Sequence, residues 1–504
     1  MKRLIGLSCF LALIITASGQ HTAETGSTIV SNILTNENSY FYLNTENYPE
    51  RNKSLPIGVF DSGTGGLTVL DAIVNFDQHN NSDQSSVNGG DGIRDFQGEY
   101  FIYLGDQANM PYGNYSRENK LNLLQEHIIK DVQFLMGNKY YPSPKAEAVA
   151  TDKESVKAIV IACNTATAYG KDEIENFVRQ AGIDLKIVGV IDAGVRAALD
   201  GFDAVQGGAV AVMATAGTVS SRGYVKALQL QWNALGYTGE LGIFQQAGIG
   251  LAGAIDGASD FIATDAAAPR SEYKGPASNH PDALLDPTIL PRYHFDWDDG
   301  KMLYRGSIEN PQDIQLNSVP NYIAYHVVTL LEQIRRNSQS KPLQSIILGC
   351  THYPYYVDIF QQNLERLYNY QENGQYIYRI SMAENIELID PALNTAAELY
   401  GYLREQQLFN QSHISHSEFY ISVPNADNPS IQIDQNGNFT YDYKYGRSAG
   451  QIQQYVKRVP FSQLTIDAAV VLRLQNGTPD TWELIESFNH NNTKLIGLNP
   501  DYLF

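Results

Sequence analysis

Residues 158–163 read AIVIAC and residues 345–350 read SIILGC, and these two stretches decide the fold. Each runs a small residue, three aliphatics, a small residue, then cysteine. A short apolar run rich in Ile and Val, without alternation, is the pattern of a strand buried on both faces of a parallel sheet. Each cysteine then stands at the carboxyl tip of a central strand, the end at which open α/β sheets bind ligands. The chain beyond each cysteine turns polar and helix-like within a few residues, NTATAYGKDEIENFV after Cys163 and THYPYYVDIFQQNLERL after Cys350. The fold class is therefore expected to be α/β with largely parallel sheets.

The chain has three cysteines, and Cys9 lies in an N-terminal apolar run, which leaves Cys163 and Cys350. Two cysteines in an oxidising compartment read first as a disulfide. Their matching positions point elsewhere. A thiol near a helix N-terminus is expected to have its pKa lowered from the usual ~8.5, because the partial positive charge there favours thiolate. Inverting a carbon centre without a cofactor needs a base on one face and an acid on the other, and one thiolate facing one thiol meets that need. The site must also stabilise developing negative charge with oriented dipoles and excluded water. A substrate carbon between the sulfurs would hold the two residues beyond the Cβ separation of ~4.5 Å that a disulfide requires.

Four stretches extend this pattern: IGVFDSGTGGLTVL (57–70), YLGDQANMPYG (103–113), IVIACNTATA (159–168) and LGCTHYP (348–354). In content and order they resemble the signature stretches of the glutamate racemase family, within the cofactor-independent Asp/Glu racemase superfamily. LIDPALNTA (388–396) resembles the family's next element, FYISV (419–423) more weakly a later strand, and the likeness covers roughly residues 55 to 400. It implies two similar Rossmann- or flavodoxin-like domains with the active site in the cleft between them. It implies that Cys163 and Cys350 are the catalytic pair, assisted by Asp61 and His352. Substrate contacts would come from Asp61, Ser62, Tyr112, Gly113, Asn164, Thr165, Thr351 and His352. A second small-residue loop, AVAVMATAGTVSS (209–221), resembles the family's Thr-rich segment, with Thr215 and Thr218 for the distal carboxylate. The implied activity is racemisation of glutamate with no cofactor and no metal, on a small-molecule substrate, in a chain compatible with a homodimer. A broader or aspartate-directed racemase is the alternative, and a non-catalytic binding protein for acidic amino acids the alternative from another class.

The residues allow plainer roles too. Asp61 can cap the helix that GGLTVLDAIVNF suggests, a short acceptor being what a helix start needs. The chain also departs from the family pattern. Where a glutamate usually supports the second cysteine, GIGLAGAIDG (248–257) has Ile255, with Asp256 next, and Gln107 replaces a common threonine.

Composition sets the outer limits. The chain has 504 residues, 43% hydrophobic and 18% charged, with a formal net charge of −20. That is a folded protein of more than one domain, and its acidity argues against a nucleic-acid partner, which needs clustered Lys and Arg. The start, MKRLIGLSCFLALIITASGQ, reads as an export signal: Lys2 and Arg3, an apolar run from Leu4 to Ile15, then small residues. The run falls short of the ~20 residues of a membrane span. A periplasmic or secreted protein is expected. That is unusual for the family, whose product serves peptidoglycan synthesis in the cytoplasm. The expected division is a signal at 1–19, a polar lead-in at 20–54, one domain from 55–182 plus 372–470, a second at 183–371 with an insertion at 258–318, and an extension at 471–504. The Pro- and Asp-rich insertion reads as a lid or an interface, and IDQNGNFTYDYKYG (433–446) as a hairpin turning at Asn-Gly.

Overall fold

The computed structural model describes residues 23–255, 257–337, 341–495 and 498–504. The expected export signal and Asp256 lie outside the described residues. In chain order the strands are β1 (Ile57–Asp61), β2 (Phe101–Gly105), β3 (Ala158–Ile161), β4 (Lys186–Gly189), β5 (Gly208–Ala214), β6 (Leu241–Ala247), β7 (Met302–Ser307), β8 (Asn310–Leu316), β9 (Leu343–Gly349), β10 (Gln371–Glu372), β11 (Gln375–Tyr376), β12 (Met382–Ile389), β13 (Glu418–Pro424) and β14 (Val456–Pro460).

Strands β1, β2, β3 and β5 are buried at every residue, which is why their sequences are unbroken apolar runs: helices cover both faces of a parallel sheet. One six-stranded sheet has the order β14-β13-β2-β1-β3-β4, and a four-stranded sheet the order β12-β9-β5-β6. Every pairing in them is parallel except that of β13 with β14. The architecture is thus α/β with two largely parallel sheets. The cysteine-bearing strands are interior, β3 between β1 and β4 and β9 between β12 and β5.

The sheets divide the chain one strand later at each crossing than the expected split. Strand β4 pairs with β3 and β12 with β9, because each returns from the helix after its cysteine and closes a parallel crossover unit. The chain crosses between sheets after β4 and again after β12. The helices at these crossings, Val190–Leu199 and Pro391–Gln406, pack on each other. Gly194 lets them approach, since a Cβ there would meet the Pro391 Cβ at 3.1 Å.

The insertion folds onto the second lobe. Leu285, Tyr293, Phe295, Ile314 and Leu316 join that lobe's core, and Arg292 pairs with Glu332 at 2.6 Å and Glu372 at 2.9 Å. In place of the hairpin expected at 433–446 there is a single bridge, Ile433 to Phe439, followed by a helix, Tyr441–Gly446. The C-terminal helices Ala468–Gly477 and Pro479–Asn491 pack beside the first sheet, the second burying Trp482, Ile485 and Phe488. Among the described residues no helix is long and apolar enough to cross a membrane.

Candidate active site

The loop after β1 folds around Asp61, whose Oδ2 accepts from the backbone N–H of Gly63 at 3.1 Å and of Gly66 at 2.9 Å. A Cβ at Gly66 would come within 2.4 Å of the Asp61 Cβ, so only glycine permits this wrap. The N-cap of the helix Leu67–Val74 is Gly66, with no side-chain cap, so Asp61 holds the loop together and does not take the capping role that its sequence allowed. Its charge nonetheless reaches the first cysteine.

Cys163 is the N-cap of the helix Asn164–Ala181, its Sγ accepting from the Ala166 N–H at 3.4 Å. The Ser62 hydroxyl accepts from the thiol at 3.7 Å. The expected lowering of the Cys163 pKa is reversed. Burial, and next the Asp61 carboxylate, push the thiol up to about 12, outweighing the N–H and Ser62 contacts that favour thiolate. Cys163 is thus held as a thiol.

In the second lobe Cys350 comes directly after β9, and its Sγ lies 3.7 Å from His352 Nδ1. The Thr351 hydroxyl lies 3.5 Å from the same nitrogen. Tyr353, fully buried, interacts with the Cys350 sulfur and donates to the Gly248 carbonyl at 3.5 Å. That loop, which leads to Ile255, is braced by His326, whose Nε2 lies 3.1 Å from the Ile249 carbonyl and whose Nδ1 lies 3.2 Å from Gln246. Burial pulls His326 down to about 4, so it braces the loop as a neutral ring. Cys163 and Cys350 are both buried and free.

The lobes meet between the cysteines. Asn164 donates through Nδ2 to the Gly349 carbonyl at 3.4 Å, and its Oδ1 accepts from the Tyr224 hydroxyl at 3.0 Å. Further along, the backbones of Gly113 and Gly217 close together, a Cβ at Gly113 standing 3.7 Å from the Gly217 Cα. Thr215 and Thr218 pair their hydroxyls at 3.1 Å, and Thr165 lies half-buried at its helix start. Tyr112 is turned into the core of the first lobe. Its hydroxyl donates to Asp106 at 2.6 Å and contacts Asp131 at 2.8 Å, so only its backbone is left to face the cleft. Asp131, which Arg458 also holds at 2.7 Å, is raised by burial to about 7.

Two cavities open beside the second cysteine. One, of about 130 Å³, is lined by Thr68, Asn164, Gly349, Cys350, Thr351 and Asp390 among others. The other, of about 460 Å³, is lined by residues that include Thr64, Ile255, His352, Tyr355, Leu472 and Arg473. Neither lining includes a residue of the insertion at 258–318. The apolar Ile255 therefore shares a cavity with His352. Three residues near the cysteines escaped the sequence reasoning. Tyr353 had a signal, its place within LGCTHYP, whereas Tyr224 and Arg473 had none.

No family model matches the chain. The glutamate racemase of Lactobacillus johnsonii is 35% identical over 174 residues, which cover 34% of this chain and 48% of that protein. The chain thus spans about half the length of that relative. The glutamate racemase of Oceanobacillus iheyensis is 25% identical over 358 residues, covering 71% of this chain and 82% of that protein. Among solved structures, the glutamate racemase isoform RacE1 from Bacillus anthracis is similar at a TM-score of 0.41 and 20% identity, over 73% of this chain and 87% of that one.

Proposed function

We propose for this chain, which belongs to the glutamate racemase family of the Asp/Glu racemase superfamily, the interconversion of L- and D-glutamate without a cofactor, by two cysteines acting as base and acid. The observation that carries the reading is the contact between the cysteine loops. Two buried free thiols, one from each sheet, flank a side chain that spans the lobes.

In the L-to-D direction Cys350, with His352 beside it, takes the Cα proton, and Cys163 returns one to the opposite face. The raised pKa of Cys163 supports the second half, because a donor must enter the step protonated. Asp61 keeps it so and is also the carboxylate that faces the substrate ammonium group. Ser62, Asn164, Thr165, Thr351 and the backbone at Gly113 supply the polar contacts that orient the substrate. Burial of both sulfurs excludes water and strengthens every dipole aimed at the developing carbanion. Ile255, in place of the family's glutamate, favours a second reading in which aspartate or other amino acids are also accepted. Export to the periplasm or medium belongs to the same proposal.

The test is racemisation of L-glutamate by Cys163→Ala and Cys350→Ala, monitored by circular dichroism. Loss of turnover in both variants supports the assignment, and full activity in either refutes it.

A further inference from the structure

The C-terminal helix Ala468–Gly477 is hydrogen-bonded to the loops that follow Asp61 in one lobe and Cys350 in the other. On one side Arg473 Nη2 donates to the Thr64 hydroxyl at 2.8 Å, three residues beyond Asp61. On the other the Tyr355 hydroxyl, five residues beyond Cys350, donates to the Gly477 carbonyl at 2.7 Å. Arg473 lines the same cavity as His352 and Ile255, and the buried Tyr103 phenol feels the charges of both Asp61 and Arg473. Among the described residues no carboxylate pairs with this guanidinium.

We propose that Arg473 is a specificity-determining residue, which pairs with the side-chain carboxylate of an acidic amino acid as its Cα sits between Cys163 and Cys350. The inference rests on the racemase reading for the substrate's class and adds the residue that selects it. Arg473 shares its cavity with His352, two residues from Cys350, so a substrate side chain directed from the reacting carbon into that cavity meets the guanidinium. Thr215 and Thr218, expected from sequence to take that carboxylate, direct their hydroxyls at each other. Thr64 engages one arm of the guanidinium and leaves the rest of the fork for a carboxylate. In a chain of net charge −20, a fixed cation beside the cysteine loops also attracts an anionic substrate locally.

The experiment measures KM and kcat for L-glutamate, and the glutamate Kd by calorimetry, on the full chain and on Arg473→Gln, Arg473→Lys and Val471→Ala. Arg473→Gln is expected to raise KM and Kd roughly ten- to hundredfold, as loss of a charge-assisted contact does, while kcat changes less than about threefold. Arg473→Lys recovers part of the affinity. Val471→Ala, on the same helix but lining neither cavity, loosens the helix without altering its charge and leaves the Kd near that of the parent. An unchanged Kd in Arg473→Gln overturns the proposal. So does an equal rise in Val471→Ala, which would mark the helix as a structural clasp. Absence of turnover in the parent chain would sink the racemase reading alone, since the Kd values still decide the role of Arg473.

Discussion

The side chain of Asn164, the residue after Cys163, donates to the carbonyl of Gly349, the residue before Cys350, across 3.4 Å. This hydrogen bond ties the two cysteine loops to each other. Asn164→Ala is expected to lower kcat/KM roughly a hundredfold, the scale of loss when reacting groups shift by about 1 Å. Its stability should fall by only about 1 kcal/mol. Tyr224→Phe, which removes the support on Asn164 Oδ1, should lose less activity. Steady-state kinetics beside urea unfolding separates the two effects.

Cys163 should resist alkylation in the ordinary thiol range. With Cys350 replaced by serine, the rate of iodoacetamide reaction tracks the Cys163 thiolate and should still be rising well above pH ~8.5. After burial, the Asp61 carboxylate is the next cause that disfavours a negative charge on the sulfur, so removing it favours thiolate. Asp61→Asn keeps an acceptor for the Gly63 and Gly66 N–H groups and should move the alkylation profile to lower pH. A profile that stays in place would mean burial acts alone.

Tyr112 is predicted to matter for stability and not through its side chain for catalysis. Its hydroxyl is shared between Asp106 and Asp131, and Tyr112→Phe leaves two buried carboxylates short of a donor. The expected cost is about 1–3 kcal/mol, read by denaturant titration. Turnover per folded molecule should stay within about threefold. A collapse of kcat at unchanged stability would return the hydroxyl to the cleft.

Export predicts that the protein recovered from its native host lacks the first 19 or so residues and is released by osmotic shock. N-terminal sequencing checks this. A chain that retains Met1 in the cytoplasm would contradict it.

Local pattern carried the part of the fold that the sequence made legible. The apolar runs before Cys163 and Cys350 were readable as interior parallel strands because burial on both faces removes alternation. The changeover between sheets was not readable, since the sequence of β4, KIVG, suits the edge of either sheet and only its pairing with β3 decides. The polar residues next to the cysteines, Asn164, Thr165, Thr351 and His352, were named from the family resemblance. The burial of the cysteines was not legible, and it reversed the expectation for the Cys163 thiol, because the helix-end effect is small beside desolvation and a neighbouring carboxylate. Tyr112 looked like a substrate contact from its place in PYG, yet its hydroxyl is bound by carboxylates at positions 106 and 131. Arg473 lies more than 400 residues from Thr64 along the chain, and no pattern within a window of sequence links them.

The most direct measurement is to incubate the purified protein with L-glutamate in deuterated buffer and monitor Cα deuterium and chirality together. The account predicts D-glutamate carrying deuterium at Cα, with both signals abolished in Cys163→Ala and Cys350→Ala. A folded protein that binds glutamate and produces neither exchange nor inversion would contradict it.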